Sequence, residues 1–359
     1  MKVYRSDFYL EGVYIYDTPS RMFWRGNIRA EGGIIKEIKF IPAESGTSGK
    51  RRRIIPAPVD VHTHGRSGID FAGASVEEMQ KLREDYASVG TVTLLPTIAS
   101  APLEVMIQSV KSVKEAGYLG VHIEGRWLNE KCKGAHSPEM LARPNVKELE
   151  RFLKAAEGIK VHITMAPELE SGEEFVRAAV SAGATVSAGH TNMTVEEAYK
   201  ALSWGVTGFT HTFNAMAPLH HRAPGVIAAA LCSDAYAELI CDGVHLHPET
   251  VRLVSKIKPR DKVVLVTDSM AATGCPDGVY KLGGLSVTVK DGKATTSEGT
   301  IAGSTLNLYQ GMLNYMKFAG VPLEDAIDAA TINPARMVGI DDSVGSLAVG
   351  KIAAAIEMD

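Results

Sequence analysis

The sequence predicts an α/β protein: a (β/α)8 TIM-like barrel carrying a small β-sandwich domain built from both chain ends. Three observations predict it. From Pro56 onward, eight short apolar runs alternate with segments of helical periodicity, over residues 56 to about 330; a barrel of eight strands and eight helices takes roughly 250 residues. Residues 1–55 and the tail from Val344 read instead as short strands and turns, each too small to bury a core alone. No Gly-x-Gly-x-x-Gly follows the first barrel strand, which argues against a doubly wound open sheet. The predicted domains are therefore 1–55 together with 335–359, and 56–334.

Within the first segment, Phe8–Tyr16, Gly26–Ala30 and Ile34–Phe40 are rich in β-branched and aromatic residues, with Glu31-Gly32-Gly33 as a turn. The Ser/Gly/Thr loop Glu44–Lys50 marks a boundary, and the basic run Lys50–Arg53 beside it reads as a solvated turn. The barrel strands expected after the opening one at Ala57–His64 are Val92–Ile98, Gly120–Glu124, Lys160–Ala166, Ala184–His190, Val206–Phe213, Ala237–Val244 and Lys262–Asp268. Helices are expected at Val76–Ser88, Leu103–Ala116, Val146–Ala156, Glu173–Ala182 and Val195–Trp204. Ser75, Asn145 and Thr194 stand where an N-cap belongs. Beyond the eighth strand, Asp291-Gly292 between Leu285–Val289 and Lys293–Thr296 signals a hairpin. Helices Leu306–Phe318 and Leu323–Ala330 follow it.

Composition narrows the function. With 45% hydrophobic and 22% charged residues and a net charge of −4, the chain has the balance of a globular protein and no electrostatic footprint for nucleic acid or an anionic membrane. The first dozen residues are charged throughout and lack the apolar centre of a signal peptide. No apolar run approaches the ~18 residues that span a bilayer. Cys132, Cys232, Cys241 and Cys275 form no Cys-x-x-Cys pair, so free thiols and a cytoplasmic enzyme are the expectation.

The chemistry gathers where the strands end, as it does in barrels. The first strand finishes in His62-Thr63-His64, whose two imidazoles share a face. The third ends in His122-Ile123-Glu124, the fifth in His190, the sixth in His211 and the eighth in Asp268. A lone histidine at such a place is usually satisfied by a neighbouring carbonyl. Four histidines and two carboxylates at corresponding places point to a divalent metal. Imidazole and carboxylate without thiolate suit zinc, iron or manganese, zinc first among them, as one ion or two. Glu124 has two oxygens with which to bridge two ions, and Asp268 is suited to take a proton from water and return it to a leaving amine.

These residues resemble the amidohydrolase superfamily. Within it, the chain is similar to the N-acetylglucosamine-6-phosphate deacetylase family over nearly its whole length. The resemblance rests on His122–Gly125, Lys133-Gly134-Ala135-His136, Ser187–Thr191 and His211–Met216. It continues through Pro218–Arg222, Asp242-Gly243-Val244-His245, Thr267-Asp268 and Ala302–Leu306. It implies that Glu124, His190 and His211 hold the main metal, and that His62 and His64, sharing Glu124, hold a second. It further implies that His136 polarises the acetyl carbonyl and that Asp268 is the acid–base. Asn214, Ala215, His221, Arg222 and His245 would meet the sugar phosphate, with Arg222 reaching in from the second subunit of a homodimer. From the residues alone, His220–Arg222 reads as a solvated basic turn, His245 and His247 as caps of a helix near Pro248, and His162 as packing. His122 reads as a partner that orients Glu124.

Two places depart from the family's pattern. Arg126-Trp127 follow Glu124-Gly125 where a proline and an aromatic are usual, so an extra cation stands ready to reshape the loop or to meet an acidic group on the substrate. Ala353–Ala355 alter the tail, which stops before the last strands that most relatives have, and an incomplete small domain is expected. The activity implied is hydrolysis of the N-acetyl group of N-acetylglucosamine 6-phosphate; the alternatives are another amino-sugar phosphate such as N-acetylgalactosamine 6-phosphate, or another amide hydrolysed by the superfamily.

Overall fold

The computed structural model describes residues 1–41, 52–282 and 285–358. The loop at 44–50, with Lys50 and Arg51 of the basic run, lies outside them. Eight parallel strands form the barrel wall: Val59–Thr63, Thr93–Ala99, Gly120–Glu124, Lys160–Met165, Thr185–Ala188, Gly208–Phe209, Tyr236–Ile240 and Val263–Val266. The first strand pairs with the second, and each later strand with its successor. The wall closes just past the eighth strand, where the Asp268 N–H donates to the His62 carbonyl at 2.9 Å and the His64 N–H to the Ser269 carbonyl at 2.7 Å.

The fifth and sixth strands are shorter than their apolar runs suggested. Past Ala188 and Phe209 the backbone leaves extended geometry, and His190 and His211 take φ values of 48° and 28°. Asp268 does the same at 48°. Non-glycine residues held in the left-handed region are strained and cluster where function demands it.

The helices follow the sequence closely. Ser75 and Thr194 each form a capping box with the glutamate three residues on, and Asn145 caps Val146–Ala155. The helix Gly225–Cys232 carried no periodic signal, because Val226, Ile227, Ala229, Ala230 and Leu231 are all buried and no polar face exists to reveal it. Ile332–Met337 is a further short helix. No helix among the described residues is long and apolar enough to cross a membrane.

Both chain ends join in one six-stranded sheet, ordered Lys2–Arg5, Ala354–Met358, Arg53–Pro56, Phe8–Asp17, Met22–Glu31, Ile34–Phe40. The altered tail still enters it: Ala354–Met358 is an interior strand, antiparallel to Lys2–Arg5 on one side and to Arg53–Pro56 on the other. Val13, Ile15, Ile28, Ile35, Ile54 and Ala355 are its buried core. Arg52 is solvated, as expected, but not free: it bonds Glu357 and the Tyr4 hydroxyl at 2.9 Å. A third sheet, Gly278–Leu282, Leu285–Lys290 and Lys293–Thr296, is the expected hairpin with one more strand in front of it, turning at Asp291-Gly292 with φ of 52° and 75°.

Candidate active site and metal centre

At the carboxyl ends of the strands lies a cavity of about 220 Å³. His64, Glu124, His136, His190, His211 and Asp268 line it, with Asn214, Ala215 and His245 further along. Seven side chains predicted as ligands or catalysts therefore converge, since the buried His62 sits directly beneath, its Nε2 3.4 Å from Glu124 Oε1 and 3.6 Å from Asp268 Oδ1.

Glu124 stands at the centre. Its Oε1 is 3.2 Å from both His190 Nε2 and His211 Nε2, while Oε2 is 3.0 Å from His64 Nε2 and 3.6 Å from His136 Nε2. Two compact triads result among the described residues: Glu124, His190 and His211, and His62, His64 and Asp268. Within each, the ligand atoms lie within 4.8 Å of one another. Asp268 thus joins the His62/His64 group, a placement that its position at the end of the eighth strand did not by itself require.

The donor set fits a divalent cation on several counts. His190 and His211 face each other nitrogen to nitrogen at 3.0 Å, a separation suited to two ligands of one ion with bonds of ~2.1 Å. His190 Nδ1 sits 2.9 Å from the Cys132 carbonyl, which only accepts, so the hydrogen is on Nδ1 and a lone pair on Nε2. His62 Nε2 is buried without a hydrogen-bond partner, although it aims at two carboxylates. Burial pushes the imidazole of His64 down, yet Asp268 and Glu124 outweigh it and lift the ring to about 9. His62 is raised well above the usual range in the same way. Carboxylates that hold protons on buried imidazoles this firmly create the negative potential that a cation would occupy instead.

Asp268 is ionised: burial opposes the charge, but His62 and His64 hold the carboxyl at about 2. His136 is neutral, because burial lowers it to about 4. Glycines make room for this geometry. At Gly125, with φ of 124°, a Cβ would stand 2.0 Å from Ser100 Oγ; at Gly134, with φ of 55°, it would stand 3.1 Å from the His190 ring.

The remaining predicted residues divide. His245 lines the cavity and is anchored by its Nδ1 to Asp242 at 2.7 Å; His247, not His245, caps the helix Pro248–Ile257. Asn214 lines the cavity and bonds the His211 carbonyl at 3.1 Å. His221 and Arg222 are exposed, bonded to one another at 2.7 Å, and form no part of this chain's cavity wall. Arg126 turns away from the cavity to Glu148, at 3.2 and 3.3 Å, and Trp127 is fully buried against Phe152 and Phe175. The expected extra cation is thus spent on a helix and does not face the substrate. His122 bonds Thr97 and Thr164 and packs edge-on against His62, with no bond to Glu124.

Several site residues were not foreseen. Leu282, Thr300 and Ile301 from the hairpin region close the cavity's far wall; the hairpin was legible, but not the direction in which it folds. Glu238, fully buried on the seventh strand, contacts His62 Nδ1 at 3.1 Å. Burial opposes its charge, but His162 and His62 hold it at about 2. Its signal in the sequence was a single acid within Tyr236-Ala237-Glu238-Leu239-Ile240.

Fold and donor set together define a metal-dependent hydrolase of the barrel type. The amidohydrolase family model matches residues 53–359, and the chain belongs to that family. It is 33% identical over 341 residues to the N-acetylgalactosamine-6-phosphate deacetylase of Escherichia coli O157:H7, covering 92% of this chain and 90% of that protein. It is 36% identical over 308 residues to the N-acetylglucosamine-6-phosphate deacetylase of Haemophilus influenzae, covering 82% and 79%. Among solved structures it resembles the N-acetylglucosamine-6-phosphate deacetylase of Thermotoga maritima, with a TM-score of 0.88, 35% identity, and 98% and 95% of the two chains covered. The Mycobacterium smegmatis enzyme, an aspartate-to-alanine mutant in complex with N-acetyl-D-glucosamine-6-phosphate, superposes with a TM-score of 0.90 at 30% identity, covering 99% and 95%.

Proposed function

We propose that the protein hydrolyses the N-acetyl group of N-acetylglucosamine 6-phosphate, giving glucosamine 6-phosphate and acetate. The observation that carries the reading is the convergence of Glu124, His190 and His211 with His62, His64 and Asp268 on one cavity. In this reading Glu124, His190 and His211 hold the main cation and His62 and His64 a second, zinc being the metal best matched to the donors. A divalent cation there supplies Lewis acidity to the acetyl carbonyl and lowers the pKa of a water. The ionised Asp268 accepts a proton as the water oxygen bonds to the acetyl carbon, and returns it to the nitrogen as the C–N bond breaks. Neutral His136 donates an N–H to the oxyanion that forms between these steps.

The phosphate falls to Asn214, Ala215 and His245 on this chain. Arg222 joins them from a second copy in a homodimer, with His221 beside it; that both stand outside their own chain's cavity supports this. Arginine matches the fork of a phosphate. A volume of about 220 Å³ is below the roughly 300–1,000 Å³ of pockets for drug-sized ligands and suits a monosaccharide. A cytoplasmic location accords with a phosphorylated substrate. N-acetylgalactosamine 6-phosphate is the second reading, favoured by the Escherichia coli relative that spans 92% of the chain.

The test is acetate release by the metal-loaded protein from both 6-phosphates and from unphosphorylated N-acetylglucosamine. We expect fast release from the glucosamine epimer and at least tenfold less without the phosphate. Equal release from phosphorylated and unphosphorylated sugars would overturn the phosphate site. A preference for the galactosamine epimer would exchange the two readings.

A further inference from the structure

Burying a carboxylate is costly unless its oxygens are bonded, and Glu238 is buried completely in a strand that is otherwise apolar. Its Oε2 does two things. It takes His62 Nδ1 at 3.1 Å and the backbone N–H of His211 at 3.1 Å. Its Oε1 has no hydrogen-bond partner and faces His162 Nε2 at 3.8 Å. A carboxylate has no hydrogen to give, so in a neutral His62 ring the hydrogen must be on Nδ1 and the lone pair on Nε2. That nitrogen is the one directed at Glu124 Oε1 and Asp268 Oδ1. The neighbouring His122 ring does not compete for His62, because both its nitrogens are committed to threonine hydroxyls. The second triad's other histidine has no such support, for His64 Nδ1 is unpartnered.

We propose that Glu238 is a positioning residue that locks His62 in the Nδ1–H form, and so makes the His62/His64 position competent for a second cation. The proposal rests on the reading of His62 and His64 as ligands. It predicts a selective effect. Neither Glu124 nor His190 touches Glu238, and His190 takes its orientation from the Cys132 carbonyl, so the Glu124/His190/His211 position is independent of it except through one main-chain bond at His211.

The experiment uses the full chain as wild type, Glu238→Ala, Glu238→Gln and His62→Ala, each stripped with a chelator and reloaded with zinc. Ions per chain are counted by elemental analysis, affinities come from competition with a chelating dye, and the protonated ring nitrogen of His62 in the zinc-loaded wild type is read by ¹⁵N NMR. We expect two ions in the wild type, one in His62→Ala, and an Nδ1–H tautomer at His62. In Glu238→Ala the first ion should bind as in the wild type and the second 10- to 100-fold more weakly, the usual effect of removing a ligand's outer partner. Glu238→Gln keeps the volume and an accepting oxygen, so it should fall between the two, and it carries the test if the alanine variant does not fold. A wild-type count of one would overturn the ligand reading and the proposal with it. Two ions of wild-type affinity in the Glu238 variants, equal weakening of both ions, or an Nε2–H tautomer would overturn the role of Glu238 alone.

Discussion

Asp268 is the residue on which the proposed chemistry turns, and its surroundings allow a sharp expectation. It is held ionised by two imidazoles, and its main chain is fixed by bonds to the His62 carbonyl and from the Ser304 N–H. Asp268→Asn keeps the shape and removes the base. Turnover should fall by about 10²–10⁴-fold, while the ion at Glu124, His190 and His211 is retained in elemental analysis. Turnover within a factor of a few of wild type would take the proton transfers away from Asp268. At this scale the sequence was generous with residues that carry their signal locally, such as the His62–His64 spacing or Glu124 ending an apolar strand. It was silent where the meaning depends on what folds against a residue. Arg126 reads as a cation beside the site until Glu148 takes it, and Glu238 reads as an accident in a strand until His62 meets it.

Elements were legible in proportion to how amphipathic they are. Val76–Ser88 and Val195–Trp204 show a polar face, an apolar face and a capping serine or threonine, and they form as read. Gly225–Cys232 is apolar all round and shows none of these marks. The segment after it holds a testable peculiarity. Lys258, just past the helix Pro248–Ile257, is buried and donates to the carbonyls of Ala230 and Ser233 at 2.6 Å. Burial pushes its ammonium down to about 8. Below that pH, folded and unfolded chains both carry the proton and the cost of burying it is fully present. Above it, the unfolded chain still holds a proton the folded chain has released, so stability rises with pH up to the ordinary lysine value. Relative to Lys258→Met, the wild type should gain about 1–2 kcal/mol between pH 8 and pH 10 in urea unfolding, allowing for screening by solvent. A difference that does not move with pH would rule Lys258 out as the source.

In the whole molecule, polar contacts rivet the chain-end sheet to the barrel's helical layer at an exposed pair, Arg5 with Glu84, and at a part-buried cluster. Arg21, in the turn before Met22–Glu31, pairs with Asp325 and Asp328 of the helix Leu323–Ala330, and the Tyr16 hydroxyl donates to Asp328 at 2.8 Å. Arg21→Ala would leave two part-buried carboxylates without their cation. The cost should be about 2 kcal/mol, between an exposed pair and a fully buried one, and visible as a lower urea midpoint with little change in turnover of the folded protein. An unchanged midpoint would mean that this cluster does not help to hold the two bodies together. Such long-range fastenings are what the sequence conceals most completely, because nothing near Arg21 in the chain announces a partner some three hundred positions away.

The interior place of Ala354–Met358 in the chain-end sheet bears on the order in which this protein can come into being. Tyr4 and Glu357, which bond at 2.6 Å, are separated by 353 positions, and Arg53–Pro56, laid against the same late strand, leads within three residues into the strand that bears His62. A ribosome working at ~5–20 residues per second needs roughly 20–70 seconds to cross that distance. Throughout this interval the nascent chain holds Lys2–Arg5 with no strand to pair with and the root of the strand that carries His62 pinned on one side only. The growing polypeptide therefore waits, its first strand unmatched, for Ala354–Met358 to leave the exit tunnel before the strand that leads to His62 is held on both sides.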